Sequence, residues 1–145
     1  MATGESCVIT VAIRCYLQRG KVLTVLRTLL PRLQVFCIGT VAPGAATDAI
    51  VGAVHYFGVR RKIFNVHFRN ISAPLSRYAE TFVDNSYVDM YAVMKALVEV
   101  GFDGWMIPDH IPVFVEDAGK WAHRAYTIGY TRALLQRAVA EKGRL

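Results

Sequence analysis

The stretch Lys62-Ile-Phe-Asn-Val-His-Phe-Arg-Asn70 decides the fold. Aromatic and β-branched residues dominate it and no Gly or Pro interrupts it, so it reads as a strand. Side chains alternate along a strand, which puts Phe64, Val66 and Phe68 on one face. Ile63, Asn65, His67 and Arg69 share the other. The first face suits packing beneath helices. The second gathers its polar groups toward the carboxyl end.

Working outward, the same rhythm of strand and helix recurs on both sides. Upstream, Gln34 to Gly39 is a short apolar strand, followed by a Gly/Pro/Ala loop through Ala46. Thr47 is placed to cap a helix, with Asp48 favourable in its first turn. Ile50, Val54 and Phe57 then repeat at helical spacing until Gly58 stops them. Downstream, Ser86-Tyr-Val-Asp89 has the spacing of a capping box. Met90, Met94, Leu97 and Val98 form one helical face, ended by Gly101. Gly104 to Pro108 is a third apolar strand, and a last helix runs from about His123 to Lys142. Before these, Val8 to Leu17 suggests a strand and Lys21 to Leu30 a helix. Apolar strands alternating with helices predict an α/β fold with a parallel sheet, of three to four βα units in a single domain.

Composition excludes several classes. Of 145 residues 54% are apolar and only 19% charged, and mean hydropathy is +0.31, which rules out a disordered chain. No uncharged apolar run approaches the ~18 residues of a membrane helix. Met1 to Ser6 lacks the basic start of an export signal, and Cys7, Cys15 and Cys37 match no zinc-finger spacing. They read as reduced thiols in a cytoplasmic protein. The net charge of +6 is dispersed, and Arg60-Arg61-Lys62 reads as a solvated turn, so no nucleic-acid partner is expected.

Ligands of parallel α/β folds bind at the carboxyl ends of strands. Cys37 sits late on its strand, His67 late on the next, and Asp109 follows Pro108 at the end of the third. A thiolate, an imidazole and a carboxylate converging there make a divalent-metal set. Each also has a plainer reading, as a buried cysteine, a core histidine and a turn or capping aspartate.

Motifs add to this. Cys37-Ile-Gly-Thr40, Val66-His-Phe-Arg-Asn70, Glu80-Thr-Phe82 followed by Asp84, and Asp89-Met90 come first. Gly101-Phe-Asp-Gly104, Pro108-Asp-His-Ile-Pro112, Arg124-Ala-Tyr-Thr-Ile-Gly-Tyr130 and Ala133-Leu-Leu135 complete the series. In order and spacing it resembles the mannonate dehydratase family, hexuronate-catabolic lyases with a (β/α)8 barrel, over residues 31 to 139. Residues 1 to 30 are divergent. The resemblance implies Mn²⁺ or Fe²⁺ held by Cys37, His67 and Asp109, with His110 and Tyr126 as catalytic residues. It implies a sugar acid, D-mannonate, as substrate. Arg69 suits the substrate carboxylate by its bidentate geometry, or serves as a brace behind the ligands. The sequence departs from the family at Asn85-Ser86, where an acidic residue and a glycine are usual. The family's further ligand histidine has no counterpart in Met1 to Leu30.

A complete barrel needs about 250 residues. Three to four βα units therefore predict a partial TIM-type barrel whose open edges favour a homo-oligomer. Two functional readings follow: a metal-dependent lyase, or a non-catalytic half barrel that self-associates.

Overall fold

The computed structural model describes residues 33–42, 46–73, 78–113, 115–117 and 119–143. The strand and helix expected within residues 8–30 lie outside them. Three strands, β1 (Leu33–Cys37), β2 (Ile63–His67) and β3 (Trp105–Ile107), form a sheet in the order β1-β2-β3. Both pairings are parallel. Between β1 and β2 lie a four-residue helix, α1 (Ile38–Val41), and α2 (Thr47–Gly58). Helix α3 (Met90–Glu99) joins β2 to β3, and α4 (Trp121–Lys142) follows β3. Each expected strand is thus present, a little shorter than its apolar run, and each is followed by a helix.

Helices α2 and α3 cover the sheet because their apolar positions recur at helical spacing. Ile50, Val54 and Phe57 of α2 and Met90, Val93, Met94 and Leu97 of α3 pack with Phe36, Val66 and Phe68 in one core. Burial of each such side chain stabilises the fold by roughly 1.5–3 kcal/mol. Helix α2 packs on α3 and α3 on α4, where Leu134 and Ala138 complete the core.

The face assignment on β2 holds for Val66 and Phe68 but not for Phe64, which is 45% exposed. Phe64 lies at the amino end of the strand, in a surface cleft with Gly58, Arg61 and Phe102, where the helices no longer cover the sheet. The third strand also differs from a strand buried on both faces. Trp105 is 79% and Ile107 40% exposed, because β3 is the edge of the described sheet.

Two caps form differently from the sequence expectation. Helix α2 begins at Thr47 itself, and the Thr47 hydroxyl accepts a hydrogen bond from the Asp89 backbone N–H instead of capping its own helix. Asp89, expected to close a capping box, is the cap: its Oδ1 accepts from the N–H groups of Tyr91 and Ala92. Ser86 donates to the Ile71 carbonyl. Helix α4 starts at Trp121, earlier than His123, because the Asp117 carboxylate accepts from the N–H groups of Trp121 and Ala122. Among the described residues, no helix is long and apolar enough to cross a membrane.

Candidate metal centre

Register builds the site. Cys37, the last residue of β1, is the parallel partner of His67, the last residue of β2, so the two side chains stand side by side on one face. His67 is in turn opposite Ile107 on β3. Asp109 lies two residues further on and returns to the same face, as Arg69 does two residues beyond His67. The carboxyl ends of three strands therefore deliver one group each to a common point.

The thiol of Cys37, the imidazole of His67 and the carboxylate of Asp109 offer donor atoms that all lie within 4.8 Å of one another. Asp109 Oδ2 is the focus. His67 Nδ1 lies 3.1 Å from it, and Cys37 Sγ donates to it over 3.8 Å. Arg69 Nε lies 3.0 Å away and His110 Nε2 3.7 Å away. Cys37 is buried, while the His67 and Asp109 side chains keep 23% and 22% of their surface exposed, so the point is reachable from solvent.

The electrostatics follow from this crowding. The hydrogen bond with Asp109, supported by Cys37, raises the His67 pKa from 6.5 to about 9 against the cost of burial. Burial pushes the Asp109 carboxyl up, but His67, His110 and Arg69 outweigh it and hold the group below the usual carboxylate range. Burial likewise disfavours the Arg69 cation, and Cys37 and Glu80 beside it more than compensate.

A divalent cation fits this donor set. Deprotonated, the Cys37 thiolate, a neutral His67 imidazole and the Asp109 carboxylate would each offer one donor atom to an ion. The set mixes one soft and one hard ligand around an imidazole, which suits first-row transition ions.

His110 and Arg69 lie beside the triad, and Tyr126 lies on α4. His110, 63% exposed at its side chain, lies beside the triad, with Nδ1 3.7 Å from Glu80 Oε1. Tyr126, on α4, packs edge-on against Phe82, and its hydroxyl donates to Asp84 Oδ2 over 2.6 Å. That hydrogen bond pushes its pKa up to about 12. Its contacts run to Asp84, Phe82 and Tyr130 and not to the triad. Arg69 is buried, with Nη1 2.7 Å and 2.8 Å from the two Glu80 oxygens. Glu80 is a site residue to which sequence reasoning gave no role. Its signal was present in Glu80-Thr-Phe82, but the partner lies eleven residues upstream, a separation that no strand or helix period reads.

Parallel strands each followed by a helix, with metal-type donors gathered at their carboxyl ends, are the arrangement of a barrel-type α/β unit. A sequence model of the D-mannonate dehydratase family matches residues 25–143, and the chain belongs to that family. Its structure is similar to the crystal structure of mannonate dehydratase from Streptococcus suis serotype 2, with a TM-score of 0.63 and 26% sequence identity. That similarity covers 74% of this chain and 32% of the other, so the fold is a partial barrel spanning about a third of that relative's length.

Proposed function

We propose that this chain carries the metal-binding part of a dehydratase that removes water from D-mannonate, giving 2-dehydro-3-deoxy-D-gluconate. The observation that carries the proposal is the meeting of Cys37, His67 and Asp109 within 4.8 Å at the carboxyl ends of three strands in a family member. Mn²⁺ or Fe²⁺ is the ion proposed. Bound there, it supplies positive charge against which a substrate carboxylate can lose the proton beside it.

The chain's own residues would divide the remaining work. His110, on the solvent side of Asp109, is proposed to take the proton next to the carboxylate. Tyr126 is proposed to give a proton to the departing hydroxyl, which requires its hydroxyl to leave the hydrogen bond it donates to Asp84. Arg69 was a candidate for the substrate carboxylate. Its engagement with Asp109 and Glu80 favours the other role, a brace behind the ligand. We place the reaction in cytoplasmic hexuronate catabolism and treat the chain as one domain.

The test pairs metal content with turnover. The purified chain is expected to take up Mn²⁺, and His67→Ala to abolish this, since two remaining protein ligands seldom hold a divalent ion tightly. Keto-acid formation from D-mannonate with added Mn²⁺ measures the reaction. Absence of metal uptake by the unsubstituted chain would overturn the reading. A second reading, a non-enzymatic unit that self-associates, is favoured by the exposed Trp105 and Ile107 on the edge strand.

A further inference from the structure

Glu80 takes no part in the proton or cation roles set out above, yet it is tied into the same cluster. Arg69 links the two: one edge of its guanidinium lies 3.0 Å from Asp109 Oδ2 and Nη1 reaches both Glu80 oxygens. The Arg69 side chain keeps only 7% of its surface. Its seat is specific. A Cβ at Gly39 would come within 2.6 Å of Arg69 Cζ and Nη1, so the glycine of the Cys37-Ile-Gly-Thr40 stretch leaves room for the guanidinium. Glu80 is brought to the opposite side by the isolated antiparallel bridge between Ile71 and Glu80.

A fixed cation this close to a metal-ligating carboxylate creates a conflict. Arg69 orients Asp109, but its charge opposes the arrival of a divalent ion at the same oxygen. In a partly buried site that repulsion is weakly screened. Glu80 cancels it, leaving the charges of a Cys37 thiolate and the Asp109 carboxylate to balance the ion.

Resting on the metal reading above, we propose that Glu80 is the counter-charge that lets Arg69 hold Asp109 in place without repelling the cation. Glu80 is a positioning residue in this scheme. It touches neither the ion nor the substrate.

Binding of Mn²⁺ alone to the full 145-residue chain, followed by the electron paramagnetic resonance signal of the free ion, tests this. Glu80→Gln is expected to weaken Mn²⁺ binding by about 10- to 100-fold, the range for groups that support metal ligands. Glu80→Asp keeps the charge and is expected to bind close to the unsubstituted chain. Arg69→Gln combined with Glu80→Gln removes both charges and is expected to recover part of the loss. A merely structural brace gives the opposite pattern, because the second substitution then adds damage. Undiminished binding in Glu80→Gln overturns the proposal while leaving the metal site standing. So does a double variant no better than Glu80→Gln, or Glu80→Asp falling as far as Glu80→Gln. No binding by the unsubstituted chain overturns the metal reading, and this proposal with it.

Discussion

Asn70 shows how much a single side chain can organise. It is fully buried, and its amide uses both ends: Nδ2 donates to the carbonyls of Val83 and Val88, and Oδ1 accepts from the Ile71 N–H. Three points of the loop between β2 and α3 are thereby tied to the end of β2, next to Arg69. Asn70→Ala would leave these backbone groups without that partner in a site closed to water. The expected loss is about 2–4 kcal/mol, read as a lower denaturant midpoint at unchanged slope. The Arg69 pairing should loosen with it, since Glu80 sits on the same loop. Strand parity put His67 and Arg69 on one face from the sequence, and position at the carboxyl ends of their strands brought Cys37 and Asp109 toward them. The partners of Arg69 and Asn70 were not legible, because they come from a loop with no periodicity to read.

At the scale of elements, the helices were more legible than their ends. Helical spacing located α2 and α3, but Thr47 and Ser86 chose partners across elements that no local pattern specifies, while Asp89 capped α3 itself. Helix α4 adds a pH-sensitive contact. His123 is 1% exposed and stacks on Phe82 with ring centroids 4.5 Å apart. Burial depresses its pKa below 6.5, against the weaker pull of Asp117 and Asp84. The folded state therefore holds a neutral imidazole, and the unfolded chain accepts a proton more readily. The contribution is complete above pH 6.5 and is lost as pH falls through the lower folded value. Thermal unfolding should thus show a lower Tm on acidification from pH 7 to 5. In His123→Phe the drop should be smaller, because the carboxylates still titrate while the buried imidazole no longer does. An equal drop in both proteins would remove His123 as a cause.

At the scale of the molecule, the apolar excess of the sequence has a location. The edge strand β3 exposes Trp105 and Ile107, and α4 beside it exposes Ile128, Leu135 and Val139. A shallow cavity of about 280 Å³ runs between the two, lined by Met106, Ile107, Pro108, Ile128 and Leu135 among others. In a closed barrel the next strand and helix would occupy such a surface, and an open strand edge of this kind is a template for pairing. The purified 145-residue chain is therefore expected to self-associate, with a sedimentation coefficient that rises with concentration. Trp105→Lys, which places a charge on the edge, should shift it toward monomer. Turnover belongs to the same argument. The three described strands supply three proposed ligands and one side of a pocket, whereas dehydration needs a site from which water is largely excluded. The chain alone is expected to bind Mn²⁺ yet convert D-mannonate very slowly or not at all. A monomer with robust Mn²⁺-dependent turnover would contradict both expectations at once and show that a partial barrel suffices for the chemistry.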